Sequence, residues 1–453
     1  MSAPVPISVL FLAMEFAPVN TTGNYRSLKF VKYLRTFGIE PVVITFKEEE
    51  AASFFNAKID KGLLNDIPSG TAIYRVHCGD GKKYYKNRFR RFTTIFFSIK
   101  DNFAVRWKKY LFKELGSIIE RHKPRAIFTS LPPFSSGMLS VEISRIYNIP
   151  LITDMRDAWA MWGYAPFATR VHFGFTIAEE AKIFKHSAAI IGVTPQIIRN
   201  FKRSHPLIDA SKFHYIPNGF DGEMQTHSSF DFPSNPARIR IGYVGTLYYN
   251  AETRESIFKP WWKRKRHRKL QYTAVKEDWL YRSPYFFLKM LASLFLQYPF
   301  MKNMVMVDFV GKKPTWLVGM IDEFGLDENV TLHGFVSHQE AKKIQERFDL
   351  ILATSEKVIG DEHYCLPSKS FDSIGMNKPV LGFVTEGIQK EFIERSGLGI
   401  ICDPDNTQQS VDTFMELVKH GKTFSPNREY IASFHRKNLA SSLADVFKQV
   451  INN

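Results

Sequence analysis

Ile7-Ser-Val-Leu-Phe-Leu-Ala-Met14, followed at once by Glu15 and then by the loop Pro18-Val-Asn-Thr-Thr-Gly23-Asn-Tyr-Arg26, opens the chain's fold. The run is continuously apolar, as a strand covered on both faces is, and does not alternate as a half-exposed strand does. It lacks a basic start and meets an acid immediately, so it reads as a first strand and not as a signal peptide. Beyond the loop, Leu28, Val31 and Leu34 share one helical face and Gly38 supplies a C-terminal stop, which predicts a helix over 24–37. A second apolar run at 41–46 follows. Strand, glycine-bearing loop, helix and strand form the repeating unit of a parallel sheet with helices on both faces.

The same alternation continues outward from this unit. Further apolar runs lie at 126–130, 150–154 and 188–193, and a second series at 239–245, 304–310, 330–335, 349–353 and 379–384. In that second series Ser283-Pro284 opens an apolar helix through Phe287, Met290, Leu291 and Leu294. The two series meet around the turn Pro217-Asn218-Gly219. The fold class predicted is therefore α/β, with two doubly wound, Rossmann-like domains facing across a cleft.

Composition bounds what such a chain can do. Its 453 residues are about three times a typical domain. Apolar residues at 44% and charged residues at 23% exclude a disordered or fibrous chain. Cys78, Cys365 and Cys402 are too scattered for a disulfide framework or a metal site and suit a reducing cytosol. No stretch approaches the roughly 20 apolar residues that span a bilayer. The balance of 61 Lys and Arg against 45 Asp and Glu leaves +16, which attracts polyanions such as nucleic acid, anionic lipid or phosphorylated small molecules.

Doubly wound sheets bind ligands at the carboxyl ends of their strands, so the loops there carry the functional reading. The loop through Gly23 can turn backbone amides toward an anion; the plainer reading is an ordinary strand-to-helix turn. The dinucleotide fingerprint and the phosphate-binding P-loop are both absent, which weakens dehydrogenase and ATPase readings. Asp154-Met-Arg156-Asp157-Ala-Trp159 ends one strand, and its acids can orient hydroxyls or move protons, or else form an internal ion pair. Ser130-Leu-Pro132-Pro133 ends another strand at the same edge. In the second half, Gly242-Tyr-Val-Gly245-Thr246-Leu247-Tyr248 permits close backbone approach. Later, Leu366-Pro367-Ser368-Lys369 sets a lysine beside a helix start, a fitting clamp for a diphosphate, although a solvated lysine is the commoner case.

Together with Ile216-Pro-Asn-Gly-Phe-Asp221 and Leu332-His-Gly-Phe-Val336, these motifs resemble glycosyltransferase family 4, the retaining, nucleotide-sugar-dependent enzymes of the GT-B fold. The resemblance covers almost the whole chain. It implies an acceptor-binding domain over 1–222, a nucleotide-sugar-binding domain over 223–430, and a final helix over 431–453 that crosses back to the first domain. Residue by residue, it implies that Lys369 and Arg282 contact the donor diphosphate and that Gly334, Phe335 and Val336 hold the base. Asp372 aligns with the acid that orients the ribose, and Gly23, Gly245, Thr246 and Ser368 complete the donor set. The family's first motif acid falls at position 364, where this chain has Tyr364; Glu362 and Asp361 stand out of register nearby. Asp154, Arg156, Asp157 and Glu362 are the catalytic candidates. Fixed cations stabilise a departing diphosphate as a metal does elsewhere, so no metal or cofactor is expected. Asp403-Pro404-Asp405 reads as a helix cap.

The segment 250–281 has no counterpart in the compact pattern and reads as an insertion in the second domain. It contains Trp261-Trp262-Lys263-Arg264-Lys265-Arg266, and a second basic and aromatic stretch lies at 82–92. Tryptophan beside clustered cations suits an anionic bilayer surface; a solvated loop is the alternative. The partners expected are thus a nucleotide sugar, a saccharide or lipid-linked acceptor and an anionic membrane, on the cytoplasmic face, in cell-surface polysaccharide or glycolipid synthesis. The competing readings are a catalytically degenerate protein of the same fold, a polyanion-binding protein without catalysis, and an epimerase with the same donor site. RNA-binding signatures are missing, so nucleic acid is not expected as a partner.

Overall fold

A computed structural model describes residues 6–79, 103–163, 166–222, 229–376 and 378–452, apart from the side chains of His338 and Asp372. The basic stretch at 82–92 therefore lies outside the described residues. The chain divides into two compact units. Unit 1 comprises Met1–Asn218, Trp261–Ala274 and His435–Asn453; unit 2 comprises Gly219–Pro260 and Val275–Phe434.

Unit 1 is built on β1 (Ile7–Leu12), β2 (Ile39–Phe46), β3 (Ala72–Val76), β4 (Ala126–Leu131), β5 (Leu151–Met155), β6 (Ala189–Gly192) and β7 (Phe213–Tyr215). They form one sheet in the order β3-β2-β1-β4-β5-β6-β7, and every neighbouring pair is parallel. Val9, Leu10, Phe11 and Leu12 are all buried, because helices cover both faces of the sheet and leave no solvent side to alternate toward. Helix α1 (Asn24–Leu34) runs on as a tight turn over Arg35–Phe37, which ends at Gly38, with φ 79° and its backbone N–H donating a hydrogen bond to the Arg35 carbonyl. Helices α2 (Ser135–Tyr147) and α3 (Arg170–His186) follow β4 and β5.

The C-terminal helix Arg436–Asn452 also belongs to unit 1. Its Leu439, Leu443 and Phe447 enter the same core as Leu28, Val31 and Leu34 of α1. Phe447 packs edge-on against Phe128 at 5.9 Å and against Phe11 at 6.2 Å.

Unit 2 repeats the plan with β8 (Ile239–Val244), β9 (Val305–Val310), β10 (Val330–Gly334), β11 (Leu350–Thr354), β12 (Val380–Phe383) and β13 (Gly399–Cys402). Their order is β10-β9-β8-β11-β12-β13, again all parallel. Helix α4 (Tyr285–Gln297) buries Phe287, Met290, Leu291 and Leu294, and helix α5 (Ser368–Gly375) follows the Leu366-Pro367 turn. In both sheets the chain leaves the first strand to one side and returns on the other. This reversal opens a crevice at the carboxyl ends of β1 and β4 in unit 1, and of β8 and β11 in unit 2.

Two expectations are corrected. The segment 250–281 is not one insertion of the second domain: its ends build unit 2, while Trp261–Ala274 groups with unit 1. Tyr272 there forms an antiparallel bridge with Phe167, with backbone bonds of 2.8 and 3.0 Å. The cap near 403–405 is Asn406, whose side chain accepts from the Gln409 amide. Asp405 instead accepts from Lys357 Nζ at 2.5 Å and from the Tyr281 hydroxyl.

Candidate functional site

The reversal point of unit 2 is where a cation is held. Gly245 follows β8 with φ 126°, and a Cβ added there would lie 1.5 Å from Lys369 Nζ. Only glycine leaves room for the ammonium group, which also sits 5.3 Å over the Tyr243 ring. The carboxyl ends of the three strands are stitched together beside it. The Gly245 amide donates to the Val310 carbonyl at 2.7 Å, and the Gly311 amide to the Gly334 carbonyl at 3.0 Å. Gly311, with φ 148°, passes so close that its Cβ would meet the Gly245 carbonyl at 2.2 Å. Thr246 accepts from the Tyr243 hydroxyl through its carbonyl at 3.1 Å. Ser368 and Phe335 are exposed at this edge, while Gly334 and Val336 are half-buried.

Behind Lys369 lies a buried polar cluster that the sequence reading did not anticipate. Arg282, expected to clamp a diphosphate with Lys369, donates from Nη1 to Glu356 Oε2 at 2.6 Å, with Glu356 buried and Arg282 half-buried. His363 Nε2 stands 3.1 Å from the other Glu356 oxygen. Burial alone would raise the Glu356 carboxyl, but the Arg282 and His363 charges hold it well below the ordinary glutamate range. Burial likewise works against the Arg282 cation, yet Glu356 keeps it above its usual value. The Tyr243 hydroxyl is pushed up to about 12 by burial, with the Arg282 charge drawing it partly back. Glu356 follows β11 directly, at the edge where doubly wound sheets place ligands, and that position was the available signal.

Tyr364, where the family's first motif acid is implied, is buried and bonds the Glu277 carboxylate. Glu277 also accepts from Trp279 Nε1 at 2.8 Å. Burial, reinforced by the Glu277 charge, raises the Tyr364 hydroxyl well above the usual tyrosine range. A carboxylate is thus present beside position 364, supplied from another segment. Glu362 lies in an exposed loop, its amide accepted by Asp361 Oδ1 at 2.9 Å. The Asp372 side chain lies outside the description.

In unit 1 the Asp154–Trp159 segment separates into two roles. Asp154 is fully buried and both its oxygens are occupied. Arg26 Nη2 donates to Oδ1 at 2.8 Å and Arg26 Nε to Oδ2 at 2.9 Å, while Ser130 Oγ donates to Oδ2 at 2.6 Å. The same guanidinium donates to the carbonyls of Ile216 and Pro217, both at 2.8 Å. Asp154, expected among the catalytic residues, is the internal anion that Arg26 organises its surroundings around. Arg156 and Asp157 turn the other way. Arg156 Nη2 donates to the Pro132 carbonyl and approaches Glu15 Oε1 at 3.4 Å. Gly23 makes room for both: a Cβ there would lie 2.3 Å from Arg156 Nη1 and 2.5 Å from Glu15 Oε1. Desolvation raises the half-buried Asp157 carboxyl, Arg156 draws it partly back, and the Glu15 charge adds to the rise. Among the described residues no group of three or more His, Cys, Asp or Glu is placed to hold a metal ion.

No protein-family model matches the chain, and no curated protein matches it in sequence. Solved structures do. Sucrose-phosphate synthase from Thermosynechococcus elongatus is similar with a TM-score of 0.59 at 13% identity, over 98% of this chain and 99% of that one. The lipopolysaccharide outer core galactosyltransferase WaaB, in its apo form, gives 0.55 at 10% identity over 98% and 100%. HepE from Anabaena, in complex with UDP and glucose, gives 0.52 at 13% identity over 98% and 97%. At these identities the likeness is one of fold. The fold is α/β of the GT-B class, with two Rossmann-like units.

Proposed function

We propose that the chain is a glycosyltransferase that moves a sugar from a nucleoside-diphosphate sugar to a saccharide or lipid-linked acceptor with retention, as the resemblance to glycosyltransferase family 4 implies. The observation that carries the reading is the Lys369 ammonium seated against Gly245 at the reversal point of unit 2. A fixed cation with an adjacent helix start is what a departing diphosphate requires, because negative charge grows on the leaving phosphate in the transition state. HepE, solved with UDP and glucose on the same fold, supports a nucleotide-sugar ligand.

In this reading Lys369 neutralises the diphosphate directly. Arg282, its charge matched by Glu356, adds a second positive charge that acts on Tyr243. The bond from the anomeric carbon to the leaving phosphate oxygen breaks and one to the acceptor oxygen forms on the same face. The acceptor proton passes to a leaving-phosphate oxygen, and Asp157 with Arg156 orients the acceptor hydroxyl. No metal or cofactor takes part.

The test is release of nucleoside diphosphate from a panel of UDP-, GDP- and ADP-sugars, with a cell-envelope lipid extract as acceptor and a chelator present. One donor should be turned over, the product should keep the donor's anomeric configuration by NMR, and Lys369→Ala should abolish release. Release that persists in Lys369→Ala, or that stops with chelator, contradicts the reading.

A further inference from the structure

Helix α3 is amphipathic in the reverse sense. Along its first turns the buried residues are His172, Thr176 and Glu180, whereas Val171, Gly174, Phe175 and Ala178 face outward. Those four stand at i, i+3, i+4 and i+7, a single apolar stripe. Val171 is 64% exposed and Phe175 54% exposed. The inward polar groups are satisfied within unit 1: Glu180 accepts from His205 Nε2 at 2.7 Å and from the Ala160 amide at 2.9 Å. Toward its end the helix's outer side carries the exposed Lys182 and Lys185.

Against the start of this helix lies the segment Trp261–Ala274. Its Tyr272 packs on Phe173 at 5.0 Å and under the Arg170 guanidinium at 5.9 Å, in addition to its bridge with Phe167. The segment exposes Trp261 at 60%, Trp262 at 60% and Leu270 at 75%. Around them Lys263, Lys265, Arg266 and Lys269 are exposed, and the segment contains no acid. Among the described residues no helix is long and apolar enough to cross a membrane.

We propose that this face of unit 1, the outward stripe of α3 together with Trp261–Ala274, docks the protein on the surface of an anionic bilayer. Exposed apolar side chains on a helix and a neighbouring loop enter the headgroup boundary while surrounding cations meet lipid phosphates. A nucleic acid would satisfy the cations and could stack on tryptophan, but it offers nothing to Val171, Leu270 or the rest of the apolar stripe. The surface is independent of the donor site, so this proposal does not depend on the transferase reading.

Vesicle co-sedimentation tests it with the full chain, using phosphatidylcholine alone and phosphatidylcholine with phosphatidylglycerol in equal parts. Binding should require the anionic vesicles, with a blue shift in tryptophan emission. Two variants dissect the face, each required to melt as the wild type does. Replacing Lys263, Lys265, Arg266 and Lys269 by Ser should lower partitioning by about fivefold per charge removed. Val171→Ser with Phe175→Ser should weaken binding at high salt, where the apolar contribution dominates. Neither touches the residues assigned to transfer. Equal binding to both vesicles, no binding to either, or unchanged binding in both variants overturns the proposal. So does RNA displacing the protein from vesicles while the stripe variant binds lipid normally, which would assign the cations to a polyanion.

Discussion

Three positions separate Asp154 from Asp157 on the same chain segment, and their surroundings are opposite. Asp154 is wrapped by Arg26 and Ser130 with no exposed surface. Removing one partner of a buried pair strands the other charge, at a cost of about 3–5 kcal/mol. Asp154→Asn should therefore lower the thermal stability of unit 1 and reduce turnover only through that loss. Asp157→Asn should keep the fold and lose turnover. The Asp157 carboxyl also makes a pH-dependent contribution. The Asp157 value is raised above the ordinary 3.8, so between those values the native state holds a proton that the unfolded chain has released. Stability should fall as pH rises through that window, and Asp157→Asn should remove the fall. Glu356 is lowered from 4.5, so its contribution is present above that value and lost as pH falls; Glu356→Gln should flatten the acid limb in a pH series of melts. The Asp154 partner was not legible from the sequence, because Arg26 lies 128 residues away and nothing local marks it. Glu15 and Glu356 were not read as site residues either, although each stands just past a strand, at the edge where doubly wound sheets place ligands.

At the scale of elements, legibility followed burial. Each of the ten apolar runs read from the sequence overlaps a strand of one of the two large sheets. Among the described residues, the three strands of these two sheets not foreseen are β3, β7 and β13, and all three are sheet edges. An edge strand has one neighbour and less to bury. Ala72–Val76 is half-buried along most of its length, and Phe213–Tyr215 has only three residues with a histidine at its centre. The sequences of β3 and β7 accordingly lack the continuous apolar run that marks a central strand, whereas β13, Gly399-Ile-Ile-Cys402, is apolar but only four residues long. The C-terminal helix behaves as a central element despite its place at the chain's end, since Leu443 and Phe447 are wholly buried. Phe447→Ala opens a cavity beside Phe11 and Phe128 and should cost about 3–5 kcal/mol. The unfolding midpoint of unit 1 in urea should move accordingly, with unit 2 unaffected.

At the scale of the whole molecule, the net charge of +16 resolves into distinct local uses. Arg26, Arg156 and Arg282 are engaged within their own units by Asp154, Glu15 and Glu356. Lys369 is placed by a glycine at a strand edge, and the cations of Trp261–Ala274 surround exposed tryptophans. Composition announced an affinity for anions; only three-dimensional placement separates internal pairing from the proposed diphosphate site and the proposed lipid-facing surface. The most direct measurement is calorimetric titration of UDP, GDP and ADP, without metal, into the wild type and Lys369→Ala. A charge-assisted hydrogen bond contributes about 1.5–3 kcal/mol. One nucleotide should bind the wild type and lose roughly ten- to hundredfold in affinity in the variant. Equal affinity for both proteins, or no binding of any nucleotide, would contradict a donor site at Lys369 and with it the assignment as a glycosyltransferase.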